Sequence, residues 1–408
     1  MPAGDVLFVH NNFPAQFGFI ADALKARRSR CAVIGSTTAR ANGLPVRQWS
    51  LKRGTTPNGF PLAVRAEADL LRARAAADCA LAYQKQGFDP EVIIGHPGWG
   101  ETLLLREIFP RARQILHGEF FYHSQGADVG FDPEFGALGW DERFRIHAKN
   151  MGLALAYAEA DAIVCPTPFQ AATLPQGLQS AIRVIHEGVN TDIARPNPAA
   201  TLKLAGGRVL DRSTPVITLV NRNFEPLRGF HIFMRALPRV LAEVPDAEVV
   251  LIGRDAKGYG GESTGGTWRE RMLAELGDRL DARRLHFTGH LPYEQMLAAL
   301  SISAAHVYYT YPFVLSWSLL DAMASECLII ASDTAPVRDV VRHEENGLLL
   351  DFFDVEALSA ALIRACREPV AFTPLRKAAR EAMLTGYDRE RHALPAWLAL
   401  IDEVRARA

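Results

Sequence analysis

Short apolar runs alternate with amphipathic stretches along almost the whole chain of 408 residues. Runs such as Val6–His10 and Val216–Val220 are apolar at nearly every position, so each predicts a strand that is buried on both faces. Strands of this kind that are separated by helices form parallel sheets with helices on both sides. The other predicted strands are Ala32–Gly35, Val92–Gly95, Gln114–His117, Ala162–Cys165, Ile182–His186, Glu248–Ile252, Leu285–Thr288, His306–Thr310, Leu328–Ala331 and Leu348–Leu350.

The chain is long enough for about two domains with complete hydrophobic cores. Between Ile193 and Pro215 the sequence becomes rich in Pro, Gly and Asn and loses its periodicity, as a linker would. We therefore predict an α/β protein with one doubly wound domain at residues 1–195 and a second at residues 196–375. The remaining residues, 376–408, are expected to form a helix that packs across the junction of the two domains.

Composition excludes several classes of protein. Lys and Arg number 45 against 46 Asp and Glu, without a basic face or tail, so nucleic acid is not an expected partner. The five cysteines are scattered and form no CxxC pair, which favours thiols in a reducing compartment over disulfides or a zinc site. A strand begins at Asp5 and no signal-peptide pattern precedes it, so we expect a cytoplasmic protein.

The stretch Ala304–Ala324 joins a predicted strand to a predicted helix. Pro312 ends the strand, and apolar residues from Leu315 onward recur at helical spacing, with Ser316 as the expected N-cap. The helix would begin at the carboxyl edge of the sheet, where its unpaired N–H groups and its dipole favour an anion. Asp321 would lie about two turns into this helix and close to the same site.

Two arginines follow the first strand of the predicted second domain. The segment Asn221–Gly229 contains Asn221, Arg222 and Arg228 at the mouth of a parallel sheet. Guanidinium groups bind a diphosphate in a bidentate manner and offset the charge that develops on a leaving phosphate. Surface salt bridges are the alternative interpretation of these arginines.

A polar turn joins the first predicted strand to the first predicted helix. His10, Asn11, Asn12 and Gln16 lie in this turn, and their side chains could point into a cleft. A tight connection that is capped by an Asn would use the same residues, so both interpretations stay open.

A second polar group follows the predicted strand Gln114–His117. His117 ends this strand, where a side chain can reach a ligand, and Glu119 comes two residues later. The loop that follows contains Asp128, which either contacts a sugar or forms an Asx turn.

Four motifs in this order resemble those of family 4 retaining glycosyltransferases with the GT-B fold. They are Val9–Phe17, Val184–Asp192, Asn221–Gly229 and Ala304–Ala324. The resemblance covers nearly the whole chain. It implies two Rossmann-like domains that face each other across a cleft, with a sugar nucleotide on the second domain and the acceptor on the first.

The resemblance also implies roles for individual residues. Arg222 and Arg228 would neutralise the diphosphate during catalysis, with Asn221, Leu315 and Ser316 among the donor-binding residues. Asp321 matches the carboxylate that binds the ribose hydroxyls. His290 lies in the loop that meets the nucleobase in relatives.

The sequence departs from the family pattern at several positions. Phe313 stands where relatives carry the first of two glutamates, and Arg228 stands where they usually carry lysine. The first loop, which is glycine-rich in many relatives, keeps only Gly18. His117 and Glu119 match the place of a residue that contacts the transferred sugar, and both are predicted to be catalytic.

The sequence as a whole predicts a metal-independent retaining transferase of a hexose in glycan or glycoconjugate synthesis. Its expected partners are a nucleotide diphosphate sugar and a glycan, a lipid-linked or a small-molecule acceptor, with neither metal nor cofactor. The basic segment Leu24–Arg30 either makes a weak contact with the inner face of the membrane or is a solvated helix end, and we expect purification without detergent. The glycine-rich segment Tyr259–Thr267 is predicted to be a mobile loop.

Two alternatives come from other classes. One is a GT-B epimerase that changes the sugar of a sugar nucleotide. The other is a subunit that binds a sugar nucleotide without catalysis, which the absence of a glutamate at Phe313 would explain.

Overall fold

The computed structural model describes residues 4–256, 258 and 266–407. Most of the predicted loop Tyr259–Thr267, namely residues 259–265, lies outside the described residues. The chain divides into two compact units. The first consists of residues 1–187 together with 390–408, and the second consists of residues 188–389.

The first unit contains a seven-stranded parallel sheet with the order β3-β2-β1-β4-β5-β6-β7. Its strands are β1 Val6–Val9, β2 Cys31–Ser36, β3 Val46–Trp49, β4 Val92–Gly95, β5 Arg113–His117, β6 Ala162–Cys165 and β7 Ile182–Val184. The α-helices in the first segment of this unit, residues 1–187, are α1 Gly18–Ala26, α2 Val64–Gln84, α3 Leu105–Ile108, α4 Trp140–Lys149, α5 Met151–Ala158 and α6 Pro168–Thr173.

The second unit contains a six-stranded parallel sheet with the order β12-β11-β10-β13-β14-β15, and a short antiparallel pair, β8 with β9. Its strands are β8 Leu202–Lys203, β9 Val209–Leu210, β10 Val216–Asn223, β11 Glu248–Arg254, β12 Leu285–Gly289, β13 Ser303–Tyr308, β14 Ile329–Ser332 and β15 Leu348–Leu350. Its helices are α7 Phe230–Glu243, α8 Trp268–Leu276, α9 Tyr293–Ser301, α10 Trp317–Ala324, α11 Ala335–Arg338, α12 Val355–Arg367 and α13 Thr373–Ala382.

The chain passes from the first unit to the second at residues 187 and 188, whereas the sequence placed this boundary at 195 and 196. Val189 and Ala194 are buried in the hydrophobic core of the second unit, which explains the earlier boundary. The C-terminal segment is also divided between the units. Helix α13 belongs to the second unit, and the last helix, α14 (Leu394–Ala406), belongs to the first.

Both faces of the first sheet are covered, as the apolar runs predicted. Val6 and Phe8 of β1 pack into one hydrophobic cluster with residues of α1 and α14, whereas Leu7 and Val9 pack into another with residues of α2. The predicted fold class, two doubly wound parallel-sheet units, is confirmed. Among the described residues, no helix combines the length and the apolar character that crossing a membrane requires.

Candidate functional site

Three histidines meet at the carboxyl edge of the first sheet. His10, His96 and His117 lie at the ends of β1, β4 and β5, which are neighbours in the sheet. The ring centres of His10 and His96 are 5.4 Å apart, and those of His96 and His117 are 5.1 Å apart. All three side chains are buried. Parallel strand order therefore brings together residues that are far apart in the sequence.

The electrostatics of this histidine cluster keep the rings of His10 and His117 uncharged and the carboxylate of Glu119 ionised. Burial and the neighbouring His96 lower the pKa of His117 to about 3, and the same two causes hold the pKa of His10 well below its usual value. Burial raises the pKa of Glu119, but its hydrogen bond with His96 and its electrostatic interactions with the neighbouring histidines outweigh burial and bring the pKa to about 2. Glu119 lies with Oε2 3.4 Å from Nε2 of His96.

A second carboxylate approaches His117 from the segment after β7. Oε1 of Glu187 lies 3.7 Å from Nε2 of His117, and Oε2 of Glu187 lies 3.6 Å from Nδ1 of His186. Nδ1 of His117 is buried and finds no hydrogen-bond partner within the described part of the chain. The hydroxyl of Tyr157 donates to the carbonyl of His117 at 3.2 Å, which fixes the end of β5.

Trp99 completes this cluster and was not predicted. It ends the short 3-10 turn Pro97–Trp99 after β4, and its ring centre lies 4.6 Å from that of His96 and 5.6 Å from that of His10. Nδ1 of His96 accepts the N–H of Gly98 at 3.0 Å, which holds the turn against the ring. His96 follows a predicted strand just as His117 does, so the same sequence rule would have found it.

The predicted polar turn lies at this edge of the first sheet. Most of its polar groups, however, form hydrogen bonds that stabilise the loop itself. Nδ1 of His10 accepts the N–H of Asn12 at 2.9 Å, and the carbonyl of Asn11 accepts the N–H of Ser36 at 3.0 Å. The side chain of Asn12 accepts a hydrogen bond from Thr38, and Gln16 bonds to His10. These contacts join the turn to β2 and orient His10.

Asp128 is half-buried on the loop between β5 and α4, where it is close enough to Lys149 to raise the pKa of that ammonium. Burial and the nearby Arg65 act more strongly in the other direction and lower the pKa of Lys149 to about 8. Nζ of Lys149 lies 3.3 Å from the centre of the Tyr122 ring. Asp128 therefore belongs to a charged group at the margin of the histidine cluster.

The carboxyl edge of the second sheet holds one of the two predicted arginines in a fixed position. Arg228, in the 3-10 turn Pro226–Arg228, is buried and donates from Nη1 to Oγ1 of Thr310 at 2.9 Å and to the carbonyl of Val314 at 2.8 Å. Its guanidinium carbon lies 5.8 Å from the centre of the Phe313 ring. Phe313, at the position of the first glutamate of relatives, is thus a buried partner of Arg228.

Arg222 has a different environment, although it lies only a few residues away. It is near the end of β10, its side chain is exposed, and it makes no hydrogen bond or ion pair with any residue that the structure describes. Nδ2 of the half-buried Asn221 lies 3.4 Å from the carbonyl of Arg228 and donates to it. The structure therefore links Asn221 with Arg228, while Arg222 extends into solvent.

Helix α10 begins close to Arg228, as predicted. Ser316 is the N-cap, and its Oγ accepts the N–H of Ser318 at 3.4 Å, while its own N–H donates to Oη of Tyr308 at 2.6 Å. Leu315 is partly buried against the core of the second unit. The loop that Arg228 holds at Val314 therefore leads directly into the N-terminus of α10.

Asp321 lies in the second turn of α10 and is buried. Its Oδ1 accepts the hydroxyl of Tyr293, at the start of α9, at 2.7 Å. Burial raises the pKa of Asp321 to about 6, although the Tyr293 hydrogen bond and the charge of Arg389 act to lower it. His290, after β12, is exposed.

Two family models match successive parts of the chain. The model described as "Glycosyl transferase family 4 group" matches residues 27–194, and that described as "Glycosyl transferases group 1" matches residues 208–383. The chain belongs to the family 4 glycosyltransferases. Their two family models meet near the linker between the units.

Curated relatives match over part of their length. A phosphatidyl-myo-inositol mannosyltransferase of Mycolicibacterium smegmatis is 28% identical over 41% of this chain and 41% of its own. A D-inositol 3-phosphate glycosyltransferase of Rhodococcus jostii is 26% identical over 54% of this chain and 48% of its own. The matched region thus spans less than half the length of either relative.

Several solved structures share the fold of this chain. The sucrose-phosphate synthase of Thermosynechococcus elongatus has a TM-score of 0.72 at 19% identity and covers 99% of this chain and 100% of its own. Anabaena Alr3699/HepE, solved in complex with UDP-glucose, has a TM-score of 0.68 at 15% identity and covers 98% of this chain and 99% of its own. These likenesses establish the GT-B fold.

Proposed function

We propose that this protein transfers a sugar from a nucleotide diphosphate sugar to an acceptor hydroxyl, with retention of the anomeric configuration and without a metal ion. The donor would bind at the carboxyl edge of the second sheet, and the acceptor at the carboxyl edge of the first. The observation that carries the proposal is the fixed Arg228 at the N-terminus of α10, in a chain of this family.

The donor side supplies positive potential where a diphosphate needs it. A guanidinium has five N–H donors, and the two bonds from Nη1 hold Arg228 in one orientation before a donor arrives. The first N–H groups of α10 and the exposed Arg222 would complete the anion site. Groups that are fixed in advance stabilise the charge on a leaving diphosphate at little reorganisation cost, which is the work a metal does in other transferases.

Asp321 would bind the ribose of the donor. One of its oxygens already accepts the Tyr293 hydroxyl, so the carboxylate is held in place, and its second oxygen would accept a ribose hydroxyl. His290, on the same sheet edge, would lie beside the nucleobase. In support of a nucleotide sugar, Alr3699/HepE has been solved with UDP-glucose.

The acceptor side supplies hydrogen-bonding groups of defined charge. Because His10 and His117 are uncharged at neutral pH, each ring has one N–H donor and one acceptor. Nδ1 of His10 already accepts the N–H of Asn12, so His10 would act toward a sugar as a donor, whereas Nδ1 of His117 has no partner among the described residues. Glu119 is ionised and accepts only, so it would bind a hydroxyl of the transferred sugar or of the acceptor. We assign catalytic roles to His117 and Glu119 on the first unit and to Arg222 and Arg228 on the second.

A panel of UDP-, GDP- and ADP-sugars tests the proposal. The purified protein is first screened for thermal stabilisation by each nucleotide, because a ligand that binds only the folded state raises the melting temperature. Release of the nucleoside diphosphate is then measured with the stabilising donor, with and without inositol phosphate, simple glycosides or phosphatidylinositol as acceptor. We expect one nucleotide to stabilise the protein and release to depend on an acceptor.

The same experiment separates transfer from the alternatives. Conversion of the donor sugar without an acceptor would indicate an epimerase. Stabilisation by a sugar nucleotide without turnover for any acceptor would indicate a binding subunit. Failure of every nucleotide to stabilise the protein would contradict the proposed donor site.

A further inference from the structure

Tyr293 joins two helices that begin at the carboxyl edge of the second sheet. It is the first residue of α9, which follows β12, and its hydroxyl donates to Oδ1 of Asp321 at 2.7 Å. Asp321 lies on α10, which follows β13. The two residues differ in exposure, because Tyr293 is 44% exposed whereas Asp321 is 7% exposed. The bond therefore links a buried carboxylate to a residue that a ligand can reach.

The proton of this hydrogen bond stays on the phenol. Burial and the charge of Asp321 raise the pKa of Tyr293, and the opposing charge of Arg389 does not outweigh them. Burial also raises the pKa of Asp321 to about 6, against the effects of the Tyr293 hydrogen bond and of Arg389. Above this pH the pair consists of an ionised carboxylate and a phenol whose only proton is already donated.

Such a pair offers only acceptors to a ligand. A phenol oxygen that has donated its proton keeps its lone pairs, and an ionised carboxylate has no proton to give. Oδ2 of Asp321 makes no hydrogen bond with any residue that the structure describes, and it is not fully buried. Oη of Tyr293 makes no second hydrogen bond with these residues either. A ligand that satisfies both oxygens would bring two adjacent donors, as a vicinal diol does.

We propose that Tyr293 binds the ribose of the nucleotide directly, as a second hydroxyl acceptor beside Asp321. The proposal rests on the proposed function, in which Asp321 binds the ribose of the donor. Oδ2 of Asp321 would accept one of the two ribose hydroxyls, and Oη of Tyr293 would accept the other. The pair should discriminate against a nucleotide that lacks either hydroxyl, because one acceptor then loses its partner.

The alternative is a bond that only holds α9 against α10. Such a bond would contribute to stability without distinguishing ribose from deoxyribose. Two features favour a ligand. An ionised carboxylate that is only 7% exposed is costly unless its remaining oxygen also finds a donor. An aromatic side chain that only joined two helices would gain more from full burial than from 44% exposure.

Binding of deoxynucleotides tests the proposal without any transfer. UDP, GDP and ADP are titrated into the full chain by calorimetry, and the one that binds most tightly is compared with its 2′-deoxy and 3′-deoxy forms. We expect each deoxy form to bind the unaltered protein about five- to tenfold more weakly. In Tyr293→Phe one of these two penalties should disappear while the other remains, because only one hydroxyl has lost its acceptor.

Two further variants keep the test specific. Asp321→Ala should remove the penalty that remains in Tyr293→Phe. Tyr83→Phe removes a phenol of the first unit that donates to the carbonyl of Pro45 at 3.0 Å, and this variant should keep both penalties. Each penalty is a ratio measured within one variant, so a general loss of stability cancels from the comparison.

Three outcomes would overturn the proposal. The first is equal binding of the parent nucleotide and both deoxy forms by the unaltered protein. The second is persistence of both penalties in Tyr293→Phe, which would make the bond to Asp321 a structural one. The third is tighter binding of the parent nucleotide by Tyr293→Phe, which would mean that the hydroxyl occupies the place of the ribose.

These outcomes are distinguishable from failure of the proposed function. In all three the parent nucleotide still binds, so the proposed donor site would stand without this role for Tyr293. Failure of UDP, GDP and ADP to bind would instead contradict the donor site itself, and this inference with it.

Discussion

At the scale of single residues, Arg228 and Arg222 form a natural pair for comparison. Both are assigned to the donor diphosphate, but Arg228 is buried with two hydrogen bonds to its surroundings, whereas Arg222 is exposed. Replacement of a charged donor that contacts developing negative charge typically costs about 3 kcal/mol in the transition state, or about a hundredfold in turnover. We therefore expect the two alanine variants to lose turnover to a similar extent but to differ in their free energy of unfolding.

We expect Arg222→Ala and Arg228→Ala each to lower turnover at saturating donor by about a hundredfold. Only Arg228→Ala should also lower the free energy of unfolding, by about 1 to 3 kcal/mol, because Thr310 and Val314 lose a buried donor. Kinetics and urea denaturation of both variants provide the measurement. Full turnover in both variants would show that the diphosphate binds elsewhere.

Asp321 is expected to make stability depend on pH in the direction opposite to that of an ion-paired carboxylate. Its pKa is about 6 in the folded protein against a usual 3.8, so the folded state binds the proton more tightly than the unfolded state does. The free energy of unfolding should therefore fall as pH rises from about 4 to about 6, and it should stay lowered above that range.

Melting temperatures of the unaltered protein and of Asp321→Asn across this range check the expectation. The asparagine variant lacks the titration, so its melting temperature relative to the unaltered protein should increase from pH 4 to pH 7. Tyr293→Phe removes a hydrogen bond that lowers the pKa of Asp321 and should move the transition to higher pH. A constant difference between Asp321→Asn and the unaltered protein would refute the raised pKa.

At the scale of elements, the N-terminus of α10 is capped by Ser316 and is part of the proposed donor site. Ser316→Ala removes the side chain that accepts the N–H of Ser318 and should destabilise the protein by about 1 kcal/mol. The same change should weaken donor binding, because the cap orients the N–H groups that are proposed to bind the diphosphate. Asp354→Ala removes the cap of α12, which accepts the N–H of Ala357 at 2.8 Å, and serves as the matched control.

Urea denaturation and donor titration of both cap variants separate the two roles. Equal losses of stability with weaker donor binding only in Ser316→Ala would support the donor site at α10. Donor binding that is the same in both variants would mean that this helix end does not contact the donor.

The sequence predicted those elements whose pattern is local. Buried strands such as β1 and β10 are predicted by their apolar runs. The cap of α10 is predicted by one serine that precedes apolar residues at helical spacing. Strand β3 was missed because it is an edge strand, Val46–Trp49, with an exposed Gln48 and no continuous apolar run. Its place in the sheet depends on pairing with β2, which is tertiary information.

The candidate site was predictable where a residue follows a recognised strand or lies on a recognised helix. His117 was found by the first rule and Asp321 by the second, and His96 and Glu187 obey the first rule although they were overlooked. Trp99 reaches the histidine cluster through the turn after β4, and no periodicity in the sequence encodes this contact.

At the scale of the whole molecule, the end of the chain supports the site of the first unit. Helix α14 returns to this unit, and its Trp397 is buried with its ring centre 6.3 Å from that of Phe17. Phe17 in turn lies with its ring centre 5.7 Å from that of His10 and 6.2 Å from that of His117. The C-terminal helix therefore buttresses the histidine cluster through one aromatic ring.

We expect Trp397→Ala to cost about 3 to 5 kcal/mol of stability, because it leaves a large cavity in this core. Trp317→Ala, at a side chain that is 49% exposed, should cost much less. Thermal and urea denaturation give the comparison. Similar stabilities of the two variants would show that α14 is not part of the core of the first unit.

The central claim is retaining transfer from a nucleotide sugar without a metal. Its most direct test is proton NMR of the product that forms in the presence of excess EDTA, with the donor selected by the thermal screen. The account predicts a new glycosidic linkage whose anomeric configuration is that of the donor sugar. A product of inverted configuration, or transfer that stops in EDTA and resumes with magnesium or manganese, would contradict it.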